Sequence, residues 1–129
     1  MMKQSKANIE RQIIDFLNNL GNVKFAYLFG SFVESENYRD IDIAVYFSDD
    51  NYDTLNLAVK LENLLGVEID LIDLKKAGDI IGFSAIHGKL IVNNDDDFRV
   101  DFIVALLARY FDIQYYRQRF LEELDYDED

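Results

Sequence analysis

The segment Asp40-Ile41-Asp42-Ile43-Ala44-Val45-Tyr46-Phe47 does most to restrict what this 129-residue chain can become. Side chains alternate across a strand, so Ile41 and Ile43 go to one face and Asp40 and Asp42 to the other. Such a strand buries its aliphatic face, while the opposite face carries two carboxylates on Cα atoms about 6.8 Å apart. Two such charges at ~4 Å repel by about 4 kcal/mol at an effective dielectric of 20, so converging them calls for a cation or water. A divalent metal meets that need.

A second strand-like run, Val67 to Leu74, places Glu68 and Asp70 on one face and Ile69, Leu71 and Asp73 on the other. Asp70, in mid-strand, is the preferred third carboxylate, with Glu68 in reserve and Asp73 facing away. Carboxylates on adjacent strands can hold two metal ions ~3.5–4 Å apart, the arrangement that serves in-line phosphoryl or nucleotidyl transfer. Upstream, Val23 to Phe29, aromatic and β-branched, reads as a strand that runs into a tight turn at Gly30-Ser31. A glycine there lets backbone N–H groups approach an anion, and the serine adds a hydroxyl donor.

The remaining periodicities supply helices. Ile9, Ile13, Phe16, Leu17 and Leu20 predict an amphipathic helix over 6–20, stopped by Gly21; Leu57, Ala58, Leu61, Leu64 and Leu65 predict another, stopped by Gly66. Ser48-Asp49-Asp50-Asn51 reads as the turn and capping cluster before it. A short helix from Asp79 to His87, a small strand from Leu90 to Val92 and a long helix from about Phe98 to Leu121 complete the order α-β-β-α-β-α-β-α. The expected fold class is α/β (α+β), a mixed sheet with helices packed mainly on one side.

Residues 1–121 form the expected single domain, and the acidic run over 122–129 reads as a disordered tail. Thirteen Lys and Arg against 25 Asp and Glu, a formal charge of −12, argue against direct nucleic-acid binding. The lack of cysteine removes disulfides and thiolate chemistry and fits a cytoplasmic setting, and no apolar run is long enough to cross a membrane. The single histidine, His87, reads as a helix-end residue beside Gly88 rather than a base, and Lys75-Lys76 as a solvated loop rather than a phosphate contact. Phe102 to Phe111 is apolar around much of a helix, which suggests a surface for a partner or a second copy of the chain.

Taken together, Leu28-Phe29-Gly30-Ser31, Asp40-Ile41-Asp42-Ile43-Ala44-Val45 and Val67-Glu68-Ile69-Asp70-Leu71-Ile72-Asp73-Leu74 resemble the minimal nucleotidyltransferases of the DNA polymerase beta-like superfamily. They are similar in particular to the antitoxins paired with HEPN-domain toxins, the MntA–HepT type. Gly88-Lys89-Leu90-Ile91-Val92, Phe98-Arg99-Val100-Asp101-Phe102 and Arg109-Tyr110-Phe111-Asp112 extend the resemblance over nearly the whole chain before the tail.

The resemblance implies a nucleotidyltransferase fold in which Gly30 and Ser31 bind the nucleotide. Asp40 and Asp42 would hold two Mg²⁺, with Asp70 as the third metal-binding and catalytic carboxylate. It also implies AMP transfer from ATP to a hydroxyl of the partner toxin, a tyrosine. Such sequences often carry arginine three positions after the serine, where this chain has Glu34. A second reading therefore stays open: a catalytically weak module that neutralises the toxin by masking it. A third is transfer to a small molecule such as an antibiotic.

Overall fold

The structure is a computed structural model that describes residues 4–50 and 52–127, with the side chains of 125–127 left aside. The elements run α1 (Lys6–Leu20), β1 (Val23–Phe29), α2 (Ser31–Glu34), β2 (Asp40–Phe47), α3 (Thr54–Leu65), β3 (Glu68–Asp73), α4 (Asp79–Ile86), β4 (Lys89–Asn93) and α5 (Asp96–Asp127). The sheet order is β3-β2-β1-β4. β1 is antiparallel to both β2 and β4, and β2 is parallel to β3, so the sheet is mixed as expected.

Local chemistry fixes the helix ends. Ser5 Oγ accepts from the Asn8 amide at 3.2 Å to start α1. The α3 cap is Asp53, whose carboxylate accepts from the amides of Leu55 and Asn56 at 3.1 and 3.2 Å, rather than the expected 48–51 cluster. Asn51 lies outside the described residues. Asp95 accepts from the Phe98 amide at 3.1 Å and opens α5, where Asp96 and Asp97 occupy the dipole-favoured first turn.

Alternation along the strands divides the apolar residues between two faces. Ile13 and Leu17 of α1 and Leu61 of α3 are fully buried against Ile41, Ile43, Val45 and Phe47 of β2. Each such side chain contributes about 1.5–3 kcal/mol. A smaller cluster on the opposite face joins Phe25, Tyr27, Ala44 and Leu74 to Ala85 of α4 and Phe98, Phe102 and Ile103 of α5. Helices therefore occupy both sides of the sheet, which corrects the expectation of packing mainly on one side. The second face is only partly covered, since α4 and α5 lie across the β1 region and leave the ends of β2 and β3 open.

The C-terminal run expected as a tail is entered by α5. α5 continues past Leu121 to Asp127, while residues 128 and 129 lie outside the described residues. Leu106 is buried, but Val104, Phe111, Tyr116 and Phe120 remain exposed along the helix. Among the described residues, no helix is long and apolar enough to cross a membrane.

Asp73 is the one charged residue in the core of the described chain, 8% exposed. Its carboxylate accepts from the Tyr52 hydroxyl and, at 3.0 Å, from the Lys75 amide. Burial, followed by the bond to Asp73, raises the Tyr52 hydroxyl well above its usual pKa. Tyr52 also stacks on Phe47 at 3.9 Å between centroids. Tyr52→Phe keeps that stack and removes one donor from a buried anion, so a loss of about 1–2 kcal/mol is expected in urea denaturation. An unchanged midpoint would mean that water satisfies Asp73 instead.

Candidate active site

The open part of the second face is where the acidic residues gather. Ile41 and Ile43 are sealed in the core, so strand alternation turns Asp40 and Asp42 to the other side. The parallel ladder places Asp42 directly beside Asp70, and Asp40 beside Glu68. Neighbouring strands are about 4.8 Å apart, so the side chains of Asp42 and Asp70 meet. Asp73 belongs to the opposite face, bonded to Tyr52, as the strand alternation in the sequence places it.

The electrostatics record this convergence. The carboxyl of Asp42 is pushed up to about 6, first by burial, then by the charges of Asp40 and Asp70, and finally by a hydrogen bond to Asp70. When protonated, Asp42 donates to the Asp70 carboxylate. The donor set is all oxygen and carries surplus negative charge, which suits a hard cation such as Mg²⁺. Among the described residues, no three potential ligands are already drawn into a finished metal cage. The arrangement is a facing Asp42–Asp70 pair with Asp40 two residues along β2, and a cation would have to draw Asp40 in.

β1 brings the turn to this place. Phe29 is the register partner of Asp42, and the chain then bends at Gly30, with φ 76° and ψ −155°, a conformation essentially confined to glycine. A Cβ on Gly30 would run into the Asp42 carboxylate, so the missing side chain is also what lets turn and acid meet. Ser31 is the first residue of α2 and not its cap. The amides of Val33 and Glu34 donate to the Gly30 carbonyl at 3.1 and 3.2 Å and lock the bend.

Beside Gly30 opens a cleft of about 490 Å³, lined by Phe29, Gly30, Glu34, Phe83, Ser84 and His87. Sequence reasoning did not single out Phe83 and Ser84, while His87, expected at a helix end beside Gly88, is the C-cap of α4. A signal was present in Gly88, since a Cβ there would strike the Leu28 carbonyl, so this glycine is what presses the end of α4 against the end of β1. Lys75 is held elsewhere, bonded to Asp50 at 3.0 Å and to the Asp49 carbonyl at 3.2 Å.

A mixed sheet with paired strand carboxylates beside a glycine–serine bend is the architecture of a nucleotidyltransferase. A family profile described as "Polymerase beta, Nucleotidyltransferase" matches residues 11–97, and the chain belongs to that family. Within it, the chain is similar to the protein adenylyltransferase MntA of Shewanella oneidensis, 32% identical over 121 residues that cover 89% of this chain and 86% of that protein. It is also similar to a solved structure of a tri-AMPylated Shewanella oneidensis HEPN toxin in complex with MNT antitoxin, with a TM-score of 0.74, 30% identity and coverage of 93% and 98% of the two chains. A crystal structure of the toxin–antitoxin with AMP-PNP superposes with a TM-score of 0.75 at 31% identity, covering 89% and 97%.

Proposed function

We propose that this chain is an Mg²⁺-dependent antitoxin that transfers AMP from ATP to a tyrosine hydroxyl of a HEPN-domain toxin in the cytoplasm. The observation that carries the reading is the in-register meeting of Asp42 with Asp70 beside Gly30, in a chain that resembles a named protein adenylyltransferase over nearly its full length.

In this reading the acceptor oxygen forms a bond to the α-phosphorus of ATP, the bond from that phosphorus to the bridging oxygen breaks, and pyrophosphate leaves. Asp40, Asp42 and Asp70 supply the oxygens for two Mg²⁺ ions, which when bound offset charge on the attacking and leaving oxygens. Asp70 faces the acceptor and takes up or orients its proton, while the Gly30 backbone and the Ser31 hydroxyl hold the triphosphate. Apolar side chains left exposed along α5, such as Phe111 and Phe120, form the surface where the toxin or a second copy of the chain is met.

The test uses ATP labelled at either the α- or the γ-phosphorus, with purified HEPN toxin and Mg²⁺. Label should reach the toxin from the α position alone and vanish with chelator. Toxin inhibited without label would instead support masking, the reading favoured by the acid at Glu34, which lies on the cleft beside Gly30 where it opposes phosphate binding.

Proton and cation compete for Asp42, whose carboxyl is pushed up to about 6 by burial and its acidic neighbours. Mg²⁺ affinity should therefore fall as the pH drops below that value, by up to about tenfold per unit, measured by calorimetry with a non-hydrolysable ATP analogue. Affinity that stays level from about pH 7.5 to 5 would remove Asp42 from the metal site.

A further inference from the structure

We propose that Lys6 is a positioning residue for nucleotidyl transfer: from the first turn of α1, a helix packed on the face of the sheet opposite the acids, its ammonium clamps the connection over 31–39 that joins the Gly30 bend to Asp40. The inference rests on the transfer reading above and adds to it a residue that keeps bend and carboxylate in their mutual setting.

The place of this lysine is the first argument. A helix N-terminus carries partial positive charge, so its first turn favours acids over cations. α5 follows that rule with Asp96 and Asp97, whereas α1 has no acid in its first turn and opens on Lys6. Ser5 already caps α1 through the Asn8 amide, so a neutral residue would serve the helix better than lysine does. The stabilising contacts of Lys6 lie outside its own helix.

Those contacts supply the second. Lys6 Nζ donates to the Ser35 carbonyl at 2.5 Å, across 29 positions of sequence. It also stands 5.3 Å from the centroid of the Phe32 ring and 5.7 Å from that of Tyr38, within reach of a cation–π attraction to each. The two rings meet edge to face at 4.8 Å and 87°. Phe32 is only 3% exposed and belongs to the larger core, with residues of α1 and β2. One ammonium therefore ties the start, the middle and the end of the connection to α1, at Phe32, Ser35 and Tyr38.

Regular structure in the connection is limited to the single turn of α2. The Ser35 amide donates to the Ser31 carbonyl at 2.9 Å and the Asn37 amide to the Ser35 hydroxyl at 3.1 Å, and both bonds are local to the segment. Ser35 is the C-cap of α2, so a donor from α1 on its carbonyl fixes where the chain leaves the turn for Asp40. Without that donor, a smaller share of molecules holds the bend and Asp40 in the binding setting before nucleotide arrives. Apparent affinity falls by that share, while bound nucleotide restores the setting, so the rate at saturation is kept.

Kinetics of AMP transfer to purified HEPN toxin, with ATP varied at saturating Mg²⁺, test the clamp together with hydrogen exchange of the full chain free of ligand. Lys6→Met keeps the reach of the side chain and removes its charge and its donor. The expected result is a KM for ATP raised about three- to tenfold with kcat within about twofold of wild type. Exchange over 32–39 should quicken about tenfold while 41–47 stays as in the wild type. Lys6→Arg retains a cation and a donor and should recover most of the KM. A wild type that transfers no AMP would remove the transfer reading and this inference with it. Where the wild type does transfer, the inference alone is overturned by an unchanged KM in Lys6→Met, by a fall in kcat without a rise in KM, or by a KM that arginine does not recover. Exchange over 32–39 that does not quicken, or that quickens equally across β2, would overturn it as well.

Discussion

Asp42→Asn is expected to lower AMP transfer by about a thousandfold or more, roughly 4 kcal/mol of transition-state stabilisation, while making the metal-free protein more stable. The two effects have one cause. Asp42 has a raised carboxyl pKa, about 6 against an ordinary 3.8, because burial and the charges of Asp40 and Asp70 oppose its ionisation. The folded state thus binds this proton more tightly than the unfolded state does. The resulting penalty is absent below the unfolded value, grows as the pH rises between the two, and is complete above about 6. Solvent at the open face screens it, so about 1 kcal/mol is a fair size at neutral pH.

Asparagine keeps the shape and removes the charge, so the variant should melt about 3–5 °C higher in chelator. Added Mg²⁺ with nucleotide should then stabilise the wild type and not the variant. A variant that loses activity and also stability would indicate a structural role for Asp42.

Gly30→Ala is expected to damage both stability and activity. Its φ of 76° with ψ −155° is essentially closed to residues with a Cβ, at about 1–3 kcal/mol, and the new methyl would run into the Asp42 carboxylate. Relief requires Asp42 to swing away or the bend to open. Either should reduce nucleotide affinity by about a hundredfold, beyond the loss of stability. Gly78→Ala is the control, because a Cβ at Gly78 meets nothing within 4 Å and its φ is ordinary at −66°. Its stability should change little, by about 0.5 kcal/mol or less. Similar behaviour of the two variants would mean that the Gly30 bend is not needed to bring turn and carboxylate together.

The parts of this fold legible in the sequence are those set by strong periodicity. Alternation in 40–47 and 68–73 assigns each acid to a face, and the helical spacing of Ile9, Ile13 and Leu17 marks the buried stripe of α1. What escaped depends on tertiary contact. α2 is a single turn created by the Gly30 bend, and four residues carry no period to detect. The division of helices between two faces follows from Phe25, Tyr27 and Ala44 being as buried as their neighbours on the first face, so that Phe25 to Phe29 reads as one continuous apolar run.

α5 beyond Leu121 is helical although its acids suggest a solvated tail. Phe120, Leu121 and Leu124 keep an apolar component there, and such charge runs are compatible with helix as well as coil. The cleft by Gly30 was hidden for the same reason as α2. Phe83 and His87 are more than fifty residues from the bend, and only the packing of α4, tightened at Gly82 against Leu106 and at Gly88 against Leu28, brings them to it.

The central claim is that Asp40, Asp42 and Asp70 act together as one cation-holding centre for nucleotidyl transfer. A crystal soaked with Mn²⁺ and a non-hydrolysable ATP analogue tests it most directly, through the anomalous signal of the metal. The account predicts a manganese peak bounded by the Asp40 and Asp42 carboxylates, with the α-phosphate beside it and Asp70 on the acceptor side. Nucleotide bound with manganese away from these residues, or with Asp70 turned from the α-phosphate, would contradict it.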